Sequence, residues 1–204
     1  MIRFTPSKKN VVALPPAPRI FVGDLLPKHR ERVRDIVKAT GVFRDEEVEV
    51  AIELFDSAFG TSSGANAAQS GFTNAPATSD YFFLGAFTPE DDLAGFACYG
   101  PTPGTDRTFD IYWIAVHPAA QGSGSGTILL NEVERRLKGQ NARLVVVETS
   151  SRSDYKNTRG FYLRRGYVES ARSCDFYAPG DDRITFTKRL QGRAPMADGA
   201  WSIA

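Results

Sequence analysis

The stretch "VHPAAQGSGSGTILL" (116–130) decides how this chain is read: Gly122, Gly124 and Gly126 alternate with serines just before an apolar helical pattern begins. Glycine loses more conformational freedom on folding than any other residue, so three of them at a helix start need a reason. Upstream, "TFDIYWIAV" (108–116) is rich in β-branched and aromatic residues and predicts a strand. Downstream, Leu129, Leu130, Val133 and Leu137 mark a helix that stops near Gly139. A glycine turn between strand and helix leaves the first helical amides without intrahelical partners. Together with the helix dipole, those amides form a site for phosphate that no side chain obstructs. The structural alternative is a turn whose small residues serve tight packing.

Outward from this unit the pattern is mixed. "RIFVGDLL" (19–26) predicts a first strand, and "PKHRERVRDIVKATG" a helix with Pro27 in its first turn and Val33, Ile36 and Val37 on one face. In "RDEEVEVAIELFDSAF" (44–59), Val48, Ile52, Phe55 and Phe59 form a stripe, and Asp45, Glu46 and Glu47 suit its amino end. "DYFFLGAF" (80–87) and "LAGFACYG" (93–100) read as an antiparallel hairpin. "ARLVVVETS" (142–150) reads as a central strand covered on both faces. "TRGFYLRRG" predicts a short helix ending at Gly166, and "YVESARSCDFY" and "DRITFTKRL" two closing strands. Residues 1–18 are expected to be extended, 60–79 a flexible loop insertion, and 191–204 a loose tail. Within that loop, Gly60-Thr61-Ser62-Ser63-Gly64 formally matches a hydrolase nucleophile elbow, but a helix rather than a strand precedes it, so composition explains it. The result is one α/β domain over 19–190.

Composition narrows the function. The 204 residues are 42% hydrophobic and 24% charged with a net charge of +1, which gives no electrostatic case for nucleic acid or an anionic membrane. No apolar run approaches the ~20 residues that span a bilayer. "MIRFTPSKKNVVALPPAPR" lacks the apolar core of a signal peptide. Cys98 and Cys174 make no disulfide framework, and His29 and His117 lie too far apart to suggest a ligand pair. A cytoplasmic protein without a metal is expected.

Three phosphate-binding motifs compete for the glycine turn. A P-loop needs a lysine, and none stands beside Thr127. A dinucleotide fingerprint fits Gly122 and Gly124, with Glu148 ending the next strand where a ribose-binding acid would sit, but its third glycine is replaced by Thr127. The third fits better. "VHPAAQGSGSG" resembles the acyl-CoA signature of the GNAT N-acetyltransferases, with Gln121, Gly124 and Gly126 at its defined positions, and "FYxxxGY" at 161–167 resembles that family's second signature. The order of elements over 19–190 is also similar, and "TGVF" (40–43) and "DFYAPGDD" (175–182) resemble one branch of the family.

That resemblance implies a mixed, mostly antiparallel central sheet of about seven strands flanked by about four helices. It implies acetyl-CoA as co-substrate, its pyrophosphate on the amides of Gln121, Gly122, Ser123, Gly124, Ser125, Gly126 and Thr127, and its pantetheine arm along Ile114 and Val116. The amide of Ile114 would face the thioester oxygen. Tyr162, four residues before Gly166, takes the place of the acid that protonates the departing thiolate, or is a core tyrosine of the short helix. For the base that deprotonates the amine, the candidates are Glu148 at the end of its strand, Asp110 eleven residues before Gln121, or water. Strict alternation would set Asp110, Tyr112 and Ile114 on one strand face. Tyr155 stands where many members carry an asparagine. Arg159, Arg164 and Arg165 are either a solvated helix face or contacts to the CoA 3′-phosphate, and Asp175, Asp181 and Asp182 either a surface turn or a wall for a cationic amine. The expected partner is a small-molecule amine or amino acid, and a homodimer is compatible. A non-catalytic acyl-CoA-binding module is the alternative.

Overall fold

The computed structural model describes residues 19–60 and 80–191. The extended segment expected over 1–18, the loop from 61 to 79 with its elbow-like serine, and the tail from 192 onward lie outside the described residues. Seven strands form one sheet in the order β1-β2-β3-β4-β5-β7-β6. They are β1 (Phe21–Asp24), β2 (Phe82–Phe87), β3 (Leu93–Pro101), β4 (Thr108–Val116), β5 (Leu144–Ser150), β6 (Val168–Ala178) and β7 (Asp181–Arg189). Every neighbouring pair is antiparallel except β4–β5. Parallel neighbours need a crossover, and α3 (Ser125–Gly139) supplies it. The mixed, mostly antiparallel sheet with four helices is the one expected from the sequence.

The helices divide between the two faces. α1 (Arg30–Thr40) and α2 (Asp45–Phe59) bury Val33, Ile36, Val37, Val48, Ile52 and Phe55 against Phe83, Phe96 and Ala115. Asp45, Glu46 and Glu47 occupy the first turn of α2, where the helix dipole favours them, and Glu47 Oε2 accepts the backbone N–H of Arg44 at 2.8 Å. On the other face α3 buries Leu129, Leu130, Val133 and Leu137 with Val145, Val147, Ile184 and Phe186. There α4 (Lys156–Leu163) adds Tyr162.

Two irregularities shape the middle of the sheet. β4 and β5 pair only from Thr108↔Leu144 to Ile111↔Val147, so beyond that point the strands diverge. Between β3 and β4 the register steps from Cys98↔Trp113 to Tyr99↔Ile111, leaving Tyr112 as an extra residue in a bulge. The bulge sends both Tyr112 and Trp113 toward α1 and α2, and turns Ile114 toward α3. The alternation expected to group Asp110, Tyr112 and Ile114 therefore fails at Ile114. β5 also departs from expectation: Val145 and Val147 are buried under α3, whereas Val146 and Glu148 line an open cleft on the opposite face.

Candidate active site

The glycine turn lies at the divergence of β4 and β5. After a short 3-10 turn over Pro118–Ala120, Gly122 takes φ +80° and Gly124, the cap of α3, takes φ +90°. Side chains rarely adopt such angles, which accounts for two of the three glycines. Gly126 differs: a Cβ there would meet Phe161 at an ordinary 3.5 Å. The Ser123 hydroxyl donates to the Ala120 carbonyl at 2.6 Å and lies 2.7 Å from the hydroxyl of the buried Ser125. The serine hydroxyls thus hold the loop together. The first intrahelical bond is Ile128 N–H to the Gly124 carbonyl, so the amides of Ser125, Gly126 and Thr127 precede the helical ladder. The Gln121 side chain reaches back to the Val116 carbonyl at 3.4 Å.

Of the three arginines that the sequence left open between a solvated helix face and a CoA phosphate contact, Arg165 stands beside this turn. Arg165 donates to the Thr127 hydroxyl and, at 3.1 Å, to the Phe161 carbonyl, with its guanidinium 3.7 Å from the Phe161 ring centre. Its Nε is buried without a partner among the described residues, and burial, with Arg164 nearby, disfavours its charge. An anion would relieve both. Arg159 is engaged elsewhere, donating to the Ser150 and Arg152 carbonyls at 2.7 and 2.8 Å and so fastening the end of β5 to α4. Arg164 is exposed.

On the α1–α2 face the divergence opens into a cleft of about 1050 Å³. Asp110 and Glu148 both line it, brought onto one face because Asp110 pairs with Val146, two residues before Glu148. Asp110 is half-buried, and burial raises its pKa from the ordinary aspartate value against the opposing hydrogen bond from Thr102 at 2.7 Å. Glu148 is more exposed and lies 3.4 Å from Arg183. Phe43, Tyr112, Trp113, Tyr155 and Tyr177 form the apolar wall. Burial pushes the Tyr112 phenol up to about 12, with Asp110 adding to the shift, and Tyr155 likewise to about 12 with help from Glu47. The Trp113 indole N–H and the Thr149 hydroxyl are buried without partners among the described residues, the latter on the α3 side of β5 beside Ile184.

Tyr162 is not part of that wall. It is 4% exposed on the α3–α4 face, 5.3 Å from Tyr167 and stacked 6.2 Å from Phe186 between ring centres. It belongs to the cluster that holds Val147 and Ile114, residues that flank the divergence. Burial raises its phenol well above its ordinary range. The carboxylates and this phenol therefore approach the opening from opposite faces of the sheet. The Asp110–Thr102 pair and the burial of Asp181 were beyond sequence reading, because both depend on how distant turns meet. Among the described residues no group of His, Cys, Asp and Glu could hold a metal, and no helix is long and apolar enough to cross a membrane.

Comparison with known proteins agrees with this architecture. Residues 49–167 match the acetyltransferase (GNAT) family. A GNAT-family structure from Desulfovibrio desulfuricans is 39% identical, with a TM-score of 0.73 over 85% of this chain and 100% of its own. The ribosomal-protein alanine N-acetyltransferase of Escherichia coli shares the fold at 14% identity, with a TM-score of 0.64 over 88% of this chain and 99% of its own. An aminoglycoside 6′-N-acetyltransferase complexed with coenzyme A does so at 15% identity, with a TM-score of 0.62 over 85% and 99%. No curated protein sequence matches significantly. With more than half of its length matching the family and a structural relative of this identity, the chain belongs to the GNAT family of acetyltransferases.

Proposed function

We propose that the protein transfers the acetyl group of acetyl-CoA directly to the primary amine of a small molecule bound in the cleft. The observation that carries this reading is the divergence of β4 and β5 between the glycine turn on one side and two carboxylates on the other. The pyrophosphate would lie on the amides from Gln121 to Thr127, with Arg165 beside it. The pantetheine arm would pair with the backbone of Ile114 and Val116, beyond the β4–β5 ladder, as a surrogate strand, displacing Gln121 from the Val116 carbonyl.

The amine nitrogen attacks the thioester carbonyl, the C–N bond forms, and the C–S bond breaks. Negative charge developing on the carbonyl oxygen would be met by the Ile114 amide. An alkylammonium with a pKa near ~10 must first lose a proton, and Asp110 is the preferred base: burial raises its proton affinity toward the working range. Glu148 is a second acceptor for that proton, drawn away by Arg183. Tyr162 would give a proton to the departing thiolate from the far face and regain one, through solvent, from the second N–H that the acylated nitrogen gives up.

The test is calorimetric titration of acetyl-CoA, with NADH as control, into wild type and Gly124→Asp, followed by thiol release with an amine panel. Micromolar acetyl-CoA binding that the variant loses, with amine-dependent thiol release, supports the reading. Binding of NADH but not of acetyl-CoA overturns it.

A further inference from the structure

Among the described residues, Arg165 is a partly buried cation with no carboxylate beside it: the charges that act on it are Arg164, which opposes its protonated form, and the Tyr162 phenol. Arg30, Arg136, Arg152 and Arg172 each meet a carboxylate within 3.0 Å instead. Removing a guanidinium from water without a counter-charge is costly. A guanidinium carries five N–H donors in a rigid fork. In Arg165 the Phe161 carbonyl takes one and the Thr127 hydroxyl another, on different terminal nitrogens, while the Nε–H is buried without a partner among the described residues. One N–H on each terminal nitrogen is therefore left for an anion.

The fork is held at the glycine turn. Its centre stands 3.7 Å from the Phe161 ring centre, and a Cβ on Gly126 would meet that same ring at 3.5 Å, so one ring serves both the guanidinium and the start of α3. Thr127, which accepts from Arg165, is also the last residue whose amide precedes the helical ladder. Amides and guanidinium thus meet at one place, an arrangement that suits phosphate with its charge on adjacent oxygens. CoA carries phosphate at two places, the pyrophosphate between pantetheine and ribose and the 3′-phosphate on the ribose. The position of Arg165 beside the amides matches the first. Arg164, by contrast, is exposed and folds back over Gly160 of its own helix.

We infer that Arg165 is the residue that selects a pyrophosphate-bearing donor: fixed by Thr127 and Phe161, its guanidinium completes the amide cradle around the pyrophosphate and leaves the 3′-phosphate to other groups. This rests on the acetyl-CoA reading above and assigns the donor selectivity of that site to one side chain. The phosphates take no part in the bond changes at the thioester, so the contact is alike in ground and transition states and lowers KM without raising kcat.

Calorimetric titration of CoA, dephospho-CoA (which lacks only the 3′-phosphate) and inorganic pyrophosphate into the full chain tests it, with wild type, Arg165→Met, Arg165→Lys and Arg164→Met. Arg165→Met should weaken CoA and dephospho-CoA by the same factor, about tenfold or more, and flatten the salt dependence of both. A role confined to joining α4 to α3 would leave that salt dependence as it was. Arg165→Lys should recover only part of the loss, since an ammonium keeps the charge without the fork. In thiol-release assays the KM for acetyl-CoA should rise with kcat held. Unchanged affinity in folded Arg165→Met overturns the inference, as does a loss confined to CoA, an unaltered salt dependence, an equal loss in Arg164→Met, or a fall in kcat without a rise in KM. If wild type binds neither CoA nor dephospho-CoA, the acetyl-CoA reading fails. Pyrophosphate then decides the inference alone: weaker binding to Arg165→Met than to wild type sustains it, and equal or absent binding rejects it.

Discussion

At the scale of single residues, Asp110 has a cost and a use. Its folded pKa lies above the unfolded value, so the folded state binds the extra proton and stability falls as pH rises through the interval between the two. Above the folded pKa the full cost is present. Asp110→Asn should therefore raise Tm by a few degrees at neutral pH and not at pH values below the unfolded pKa, as read by thermal unfolding. The same change should lower kcat by about 10²-fold or more and remove the acidic limb of the pH–rate profile, which in wild type should lie above the ordinary aspartate value. Tyr162→Phe keeps the edge contact with Tyr167 and the stacking on Phe186, so stability should change little while kcat falls by about 10²-fold and acetyl-CoA affinity holds. Unchanged turnover would remove Tyr162 from the acid role. These residues were legible because strand ends and short motifs are local. Asp181 was legible only as two alternatives, a surface turn or a wall for a cationic amine, and it takes the meeting of β5 and β7 to bury it.

Among the elements, the start of α3 separates two kinds of glycine. Gly124→Ala forces a side chain to φ +90° and should cost about 1–3 kcal/mol with weaker acetyl-CoA binding. Gly126→Ala has room against Phe161 and should leave Tm nearly unchanged, so equal losses in unfolding scans would contradict this division. The sequence shows glycines but not which of them bend the chain, since φ depends on how β4 enters the turn. The β4 bulge was hidden for a similar reason: period-two reading assumes regular pairing, and Tyr112 breaks it through its partner strand. Arg165, just past the end of α4, reaches Thr127 across 38 positions of chain, a relation that local spacing could not reveal.

For the whole molecule, element order and the two signatures made the fold readable, while the cleft depends on how distant parts assemble. One long-range tie is the Lys188–Glu134 pair, which joins β7 to α3 with both carboxylate oxygens accepting, at 2.8 and 2.7 Å. Glu134 is nearly buried, so Lys188→Met should cost about 3–5 kcal/mol by leaving that carboxylate unpaired, and adding Glu134→Leu should recover most of the loss in denaturant unfolding. The sheet itself is two antiparallel wings, β1–β4 and β5–β7–β6, stitched by a parallel ladder only four residue pairs long. A donor lying along Ile114 and Val116 would act as the missing suture, so each catalytic cycle would mend and reopen the same seam, and amide exchange from Tyr112 to Val116 should slow whenever acetyl-CoA is bound.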